Sequence, residues 1–204
     1  MAVGNHRGSI RPVLTTLVVL FLSGCSTNTV QLTYDTSAAA SRPAAATSSV
    51  EILSVSDRRK HDPYWLGAIR GGFGNPLKTL TTDVPVSNVV ENAFTDALKA
   101  RGLLASTGGV YGMQVVINQF DCNQIARREA HVRLQVSLVE LASGRQIYAN
   151  DIRVDRVTGS IITFDAGIFA AVEDLRKLAN QALQEAVDQA LDDPQFNEIL
   201  MAGT

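Results

Sequence analysis

The chain reads as an α+β fold: a mainly antiparallel four- to five-stranded sheet with two helices packed on one face. Two patterns carry that expectation. Residues 131–141, HVRLQVSLVEL, alternate apolar and polar side chains, then meet the turn ASGRQ (142–146) and a second strand-like run, as an antiparallel hairpin would. From Leu175 onward, Leu178, Ala179, Ala182, Leu183, Ala186, Val187, Ala190 and Leu191 recur at helical spacing between Gln181, Glu185, Asp188 and Asp192. That is an amphipathic helix whose apolar stripe needs a sheet to cover.

At the N-terminus, Arg7 and Arg11 precede an apolar run from Val13 to Leu22, broken only by Thr15 and Thr16. The run is too short to span a bilayer as a helix and reads as a secretory signal peptide over residues 1–24. It closes on Leu22-Ser23-Gly24-Cys25, which resembles the lipobox of bacterial lipoproteins, so Cys25 is the expected lipidation site. Each buried acyl CH₂ contributes about 0.8 kcal/mol, so several chains on Cys25 would anchor the protein to a membrane. Ser26 stands where an aspartate is the usual inner-membrane retention signal, which points to the outer membrane with the domain facing the periplasm.

Processing before Cys25 leaves 180 of the 204 residues, enough for one domain with a real core. Losing Arg7 and Arg11 from 18 basic residues leaves 16 against 20 acidic ones, a formal charge of −4. Such a balance offers no basic face for a nucleic acid. With Cys25 acylated, Cys122 stands alone, so no internal disulfide forms, and a small buried residue near a strand end is its expected role. Nothing in the sequence implies a cofactor or a metal.

Residues 25–49 are expected to form a lipidated cysteine and flexible tether, with Val30, Leu32 and Tyr34 alternating as in an edge strand. Residues 50–204 are expected to form a single periplasmic α+β domain. SVEILSVSD (49–57) reads as a central strand, followed by a long loop over 57–86. SNVVENAFTDALKARG (87–102) reads as a helix, opened by an Asn88/Glu91 capping box and stopped at Gly102. YGMQVVINQFDC (111–122) reads as a buried strand. IYANDIRVDRV (147–157) reads as the return strand of the hairpin, with a bulge near Asn150 where the alternation changes phase. The last helix runs from near Asp165 to before Pro194.

The stretch WLGAIRGGFGNPLKTL (65–80) raises the question of a phosphate-binding loop. A P-loop needs Lys-Ser/Thr after its last glycine, and Phe73-Gly74 stand there instead. A dinucleotide fingerprint fails because Leu77 replaces the third glycine and Pro76 interrupts. Two readings of the stretch stay open. In one, Arg58, Arg59, Trp65, Arg70 and Lys78, with Lys60 and His61 nearby, form a surface for an anionic partner such as a lipid headgroup, a glycan or an acidic protein patch. In the other, the glycines serve backbone turns and the basic residues are solvated.

The order of elements resembles the YajG-type lipoproteins of Gram-negative bacteria. The resemblance lies in a strand closing on SDRR (56–59), the helix ALKARGLL (97–104), the strand MQVVINQF (113–120), a hairpin reaching DRVTG (155–159) and a helix ending LDDPQFNEIL (191–200). It implies an envelope lipoprotein facing the periplasm, with no catalytic residues to carry over. The leading expectation is therefore a non-catalytic binding or accessory protein in cell-envelope assembly or maintenance, touching an unknown envelope protein or lipid. An auxiliary lipoprotein subunit of a lipid-handling transport system is the alternative. A cell-wall or lipid hydrolase using Asp57, His61 and Asp62 is a third class, although no H-E-x-x-H or G-x-S-x-G motif is present.

Overall fold

The computed structural model describes residues 26–37, 49–105, 107–159 and 168–202. Its strands are β1 (Ser26–Val30), β2 (Val50–Asp57), β3 (Trp65–Arg70), β4 (Pro76–Thr82), β5 (Tyr111–Gln124), β6 (Arg128–Glu140) and β7 (Arg145–Thr158). Its helices are α1 (Val86–Ala100), α2 (Ile168–Leu191) and α3 (Pro194–Ala202). The strands form one seven-stranded sheet in the order β1-β4-β3-β5-β6-β7, with β2 also paired to β5.

The sheet is mixed, which corrects the expectation of a mainly antiparallel sheet of four to five strands with two helices. β1–β4, β2–β5 and β3–β5 run parallel, while β3–β4, β5–β6 and β6–β7 run antiparallel. The long β5 serves two parallel neighbours along one edge: Tyr111 to Ile117 pair with β2, and Cys122 to Gln124 pair with β3. β2 is thus not a central strand. β5 is its only ladder partner among the described strands, apart from a bridge between Val50 and Leu104.

The loop expected over 57–86 contains the β3–β4 hairpin. Hydropathy concealed both strands for physical reasons. In β3, Leu66, Gly67, Ala68 and Ile69 are all buried, so no alternation shows. In β4 the alternation is real, but its buried positions are Lys78, Leu80 and Thr82, of which only one is apolar. The edge strand expected around Val30, Leu32 and Tyr34 lies earlier, at Ser26–Val30 (β1), while Leu32 and Tyr34 are buried beyond its end.

α1 begins at Val86 after Pro85, without a side-chain cap, so the Asn88/Glu91 box does not form. The carbonyl of Pro63 accepts the Val86 N–H at 2.9 Å and satisfies that free donor instead. The helix does stop at Gly102. There φ is +69°, and the N–H groups of Gly102 and Leu103 bond to the carbonyls of Lys99 and Leu98, a Schellman closure.

α2 carries the expected stripe: Leu175, Leu178, Ala179, Ala182, Leu183, Ala186, Val187, Ala190 and Leu191 are buried in one core with α1 and the sheet. The expected start near Asp165 falls outside the described residues. Pro194 opens α3 instead of merely ending α2. Proline suits the first helical position, and Asp193 before it accepts the Phe196 N–H at 3.0 Å as a cap. The β6–β7 irregularity lies at Ile147, between the pairs Leu138–Tyr148 and Val139–Gln146, three residues before the expected Asn150.

Candidate functional site

The five basic and aromatic residues expected to meet an anionic partner do not converge. Arg59 turns inward, its side chain only 3% exposed. Its Nε and Nη2 donate to both carboxylate oxygens of Asp57, at 2.8 to 3.1 Å. Its Nη1 donates to the carbonyls of Trp65 at 2.8 Å and Phe120 at 2.9 Å, and Nη2 to that of Pro63 at 3.3 Å. Arg59 therefore clips the end of β2 to the starts of β3 and the middle of β5. Burial pushes the Asp57 carboxyl up, but the Arg59 bonds outweigh it and hold it below the usual carboxylate range.

Arg58 is exposed, and the half-buried Trp65 stacks on His61 with ring centroids 4.0 Å apart. Arg70 and Lys78 lie at the other end of the hairpin, five residues or about 17 Å along β3 from Trp65. Arg70 Nη1 donates to the Gly74 carbonyl at 3.2 Å, and Lys78 is a buried position. The glycines have separate backbone roles. Gly74 turns the hairpin with φ +80°, and Gly67 lets β3 approach β5 beside Cys122. The trio Asp57, His61 and Asp62 is spent on local structure too, since Asp62 Oδ1 accepts the Tyr64 N–H at 2.9 Å.

A denser charged cluster sits on the sheet face away from the helices, and the sequence did not reveal it. His131 and Arg133 of β6 were legible as outward-facing residues. Their partner Asp155 of β7 was not, because it emerges only from the register that pairs His131 with Asp155. His131 Nδ1 lies 2.6 Å from Asp155 Oδ1, Arg133 Nη2 donates to the same oxygen at 2.7 Å, and Arg153 Nε donates to Oδ2 at 3.1 Å. These donors, His131 first and Arg133 next, hold the Asp155 carboxyl far below the usual range. A histidine oriented by a carboxylate is two thirds of a hydrolytic triad, but the third position is wrong. The far nitrogen, Nε2, faces Glu129 Oε2 at 3.6 Å, a carboxylate where a triad places a serine or cysteine.

A third cluster ties the N-terminal segment to the helices. Arg101, 5% exposed, donates from Nη2 to Asp188 and Asp192 of α2, each at 3.0 Å. The Tyr34 hydroxyl donates to Asp188 Oδ1 at 2.6 Å. Burial and that carboxylate push the Tyr34 phenol up to about 12. Cys122 is buried as expected, and burial followed by the nearby Asp121 pushes its thiol up to about 12.

The cavities are shallow. One of about 260 Å³ is lined by Arg59, Lys60, His61 and Asn118 to Asp121. A groove of about 840 Å³ runs between β1 and the start of α2, lined by Thr27, Gln31, Asp83, Glu173 and Arg176 among others. Among the described residues no group of three His, Cys, Asp or Glu is placed to hold a metal ion, and no helix is long and apolar enough to cross a membrane. Cys25 lies outside the described residues.

A family described as uncharacterized lipoprotein, Lipoprotein_16, matches residues 36–201. The chain belongs to this family. The resemblance to YajG-type lipoproteins is thereby borne out. No curated protein matches this lipoprotein in sequence. Among solved structures it is similar to protein XCC0632 from Xanthomonas campestris, of the DUF330 family model. The two share 14% identity over 88% of this chain and 100% of that one, with a TM-score of 0.61. A second, an uncharacterized protein, shares 10% identity over 82% of this lipoprotein and 99% of its own chain, at a TM-score of 0.50. A minor lipoprotein from Acinetobacter baumannii aligns more loosely, at 13% identity over 70% and 89% of the two chains and a TM-score of 0.34. At these identities the first two share the fold and nothing finer.

Proposed function

We propose that this lipoprotein is held in the outer membrane, facing the periplasm, by acyl chains on Cys25, and acts there as a non-catalytic binding or accessory protein in cell-envelope assembly or maintenance. The observation that carries the reading is the junction of lipobox and fold. Leu22-Ser23-Gly24-Cys25 runs directly into Ser26, the first residue of β1. The described fold thus begins one residue after the cysteine expected to carry the lipid. Family membership supports the anchor. The ionisable groups Asp57, Arg59, His131 and Asp155 satisfy one another and the backbone, which suits a binding scaffold better than a reacting centre. Arg58 and the His61–Trp65 stack are one outward-facing part of the expected anionic-partner surface, and we assign contact with an envelope protein or lipid there.

Cys25→Ala in the full chain, followed by radiolabelled palmitate incorporation and membrane fractionation, tests the anchor. The parent chain should be labelled and travel with the outer membrane, and the variant should be unlabelled in the soluble periplasm. A variant that stays in the membrane, or a parent chain that bands with the inner membrane, refutes the corresponding part. For the accessory role, a deletion strain should regain detergent resistance equally from the parent chain and from a His131→Ala/Asp155→Asn chain. Failure of that folded, membrane-bound variant alone would indicate a reaction at the cluster.

A further inference from the structure

One row of residues crosses the sheet near a single end. Ser26 of β1 pairs with Lys78 of β4, Lys78 with Ile69 of β3, Ile69 with Gln124 of β5, Gln124 with Arg128 of β6, and Arg128 with Thr158 of β7. Beyond that row lie the β3–β4 turn (71–75), the β5–β6 turn (125–127) and the first two residues of β4, and Ser26, which follows Cys25 in the sequence, stands on the row itself. The large apolar side chains beyond the row face solvent: Phe73 fully, Ile125 at 59% and Leu77 at 47% exposure.

A single exposed apolar residue needs no explanation, but these share one end, and Phe73 and Ile125 sit on turns that leave neighbouring strands. Neither turn carries a carboxylate, their sequences being GGFGN and IAR. Arg70 and Arg127 flank the apolar tips, and the Arg127 side chain is 57% exposed although it pairs with Glu129. At the opposite end of the sheet the exposed leucines behave differently. Leu53 and Leu141 lie together over Gly112, where a Cβ would meet both within 3 Å.

We infer that the end carrying Phe73, Leu77 and Ile125 is a bilayer-docking rim. These side chains enter the headgroup region of the membrane in which Cys25 is anchored, and Arg70 and Arg127 reach the phosphates of anionic lipids beside them. The inference rests on the acylation of Cys25 proposed above. Consecutive Cα atoms are about 3.8 Å apart, so the acyl chains leave the protein at this row without a spacer. The rim is thereby held at the membrane surface at high effective concentration, and weak apolar contacts suffice to orient the domain.

The test uses the full acylated chain in vesicles of phosphatidylethanolamine and phosphatidylglycerol. An environment-sensitive nitrobenzoxadiazole label is placed at Phe73→Cys, at Ile125→Cys or, as a control in the β6–β7 turn at the far end, at Ser143→Cys. Acylated Cys25 does not react, and Cys122 is buried. Labels at 73 and 125 should shift to the blue and lose fluorescence to lipids bearing a doxyl group near the headgroup, while the label at 143 should do neither. If the protein floats with the vesicles but 73 and 125 are quenched no more than 143, the rim is overturned and the anchor stands. Protein left in the aqueous fraction overturns the anchor and the rim together. A blue shift at 73 and 125 without lipid quenching means that a second copy or another protein covers the tips, which also overturns lipid docking.

Discussion

Gly67 of β3 and Cys122 of β5 approach so closely that a Cβ on Gly67 would lie 1.6 Å from the Cys122 carbonyl oxygen and 3.1 Å from its Sγ. The obstructing atom is backbone, so the two strands would have to separate to admit even a methyl group. Gly67→Ala should therefore cost about 3 kcal/mol or more. Gly72→Ala, which meets nothing within 4 Å, should change stability by less than about 0.5 kcal/mol. Urea denaturation of the two variants separates a packing glycine from a turn glycine; equal midpoints would remove the close approach as the explanation of Gly67.

Arg58 and Arg59 adjoin in sequence and differ in fate. Arg59→Ala should lose about 2 to 3 kcal/mol, because it strands the Asp57 carboxylate and the carbonyls of Trp65 and Phe120. Arg58→Ala should leave stability within about 0.5 kcal/mol. A stable Arg59→Ala chain would show that the clip is dispensable.

The same pair sets an acid limb. Asp57 titrates lower in the folded chain than its ordinary value, so its stabilisation is complete above about pH 4, the unfolded carboxylate value, and is lost as pH falls through the folded one. Asp57→Asn should flatten that part of a stability–pH profile. An unchanged acid limb in the variant would assign it to other carboxylates, Asp155 first among them.

Tyr34 gives the opposite sign. Its phenol is raised to about 12, so the folded state keeps the proton while the unfolded chain releases it above the ordinary tyrosine value of 10.0. Stability should fall as pH rises from about 10 to about 12, on top of a share from Cys122, which begins near the ordinary thiol value of 9.0. Tyr34→Phe should cost about 1 kcal/mol at neutral pH and reduce the alkaline slope. A slope identical to that of the parent chain would mean the Asp188 bond does not hold Tyr34 in solution.

These residues mark what the sequence could and could not reveal. The α2 stripe, the Gly102 stop and the β6–β7 hairpin were legible because burial there follows one clean period. The β3–β4 hairpin was not, since Lys78 and Thr82 occupy its buried phase and Gly67 its closest contact. Parallel pairing also escaped: β1 meets β4, and β2 meets β5, across connections whose register no local pattern records. For the same reason the expected anionic surface dispersed along a strand, while the cluster around Asp155 assembled from two strands unannounced.

α3 supplies the last test of this point, because a proline read as a stop proved to be a start. Phe196 is fully buried and meets the Tyr148 ring edge-on, with centroids 5.6 Å apart, so α3 closes the core over β7. Phe196→Ala should cost about 3 to 4 kcal/mol through the cavity it leaves. Asp193→Ala should cost about 1 kcal/mol, the usual loss for a helix cap. The ratio matters more than either value. A Phe196→Ala chain that melts no earlier than Asp193→Ala would mean that α3 rests on the surface and that the core ends with α2.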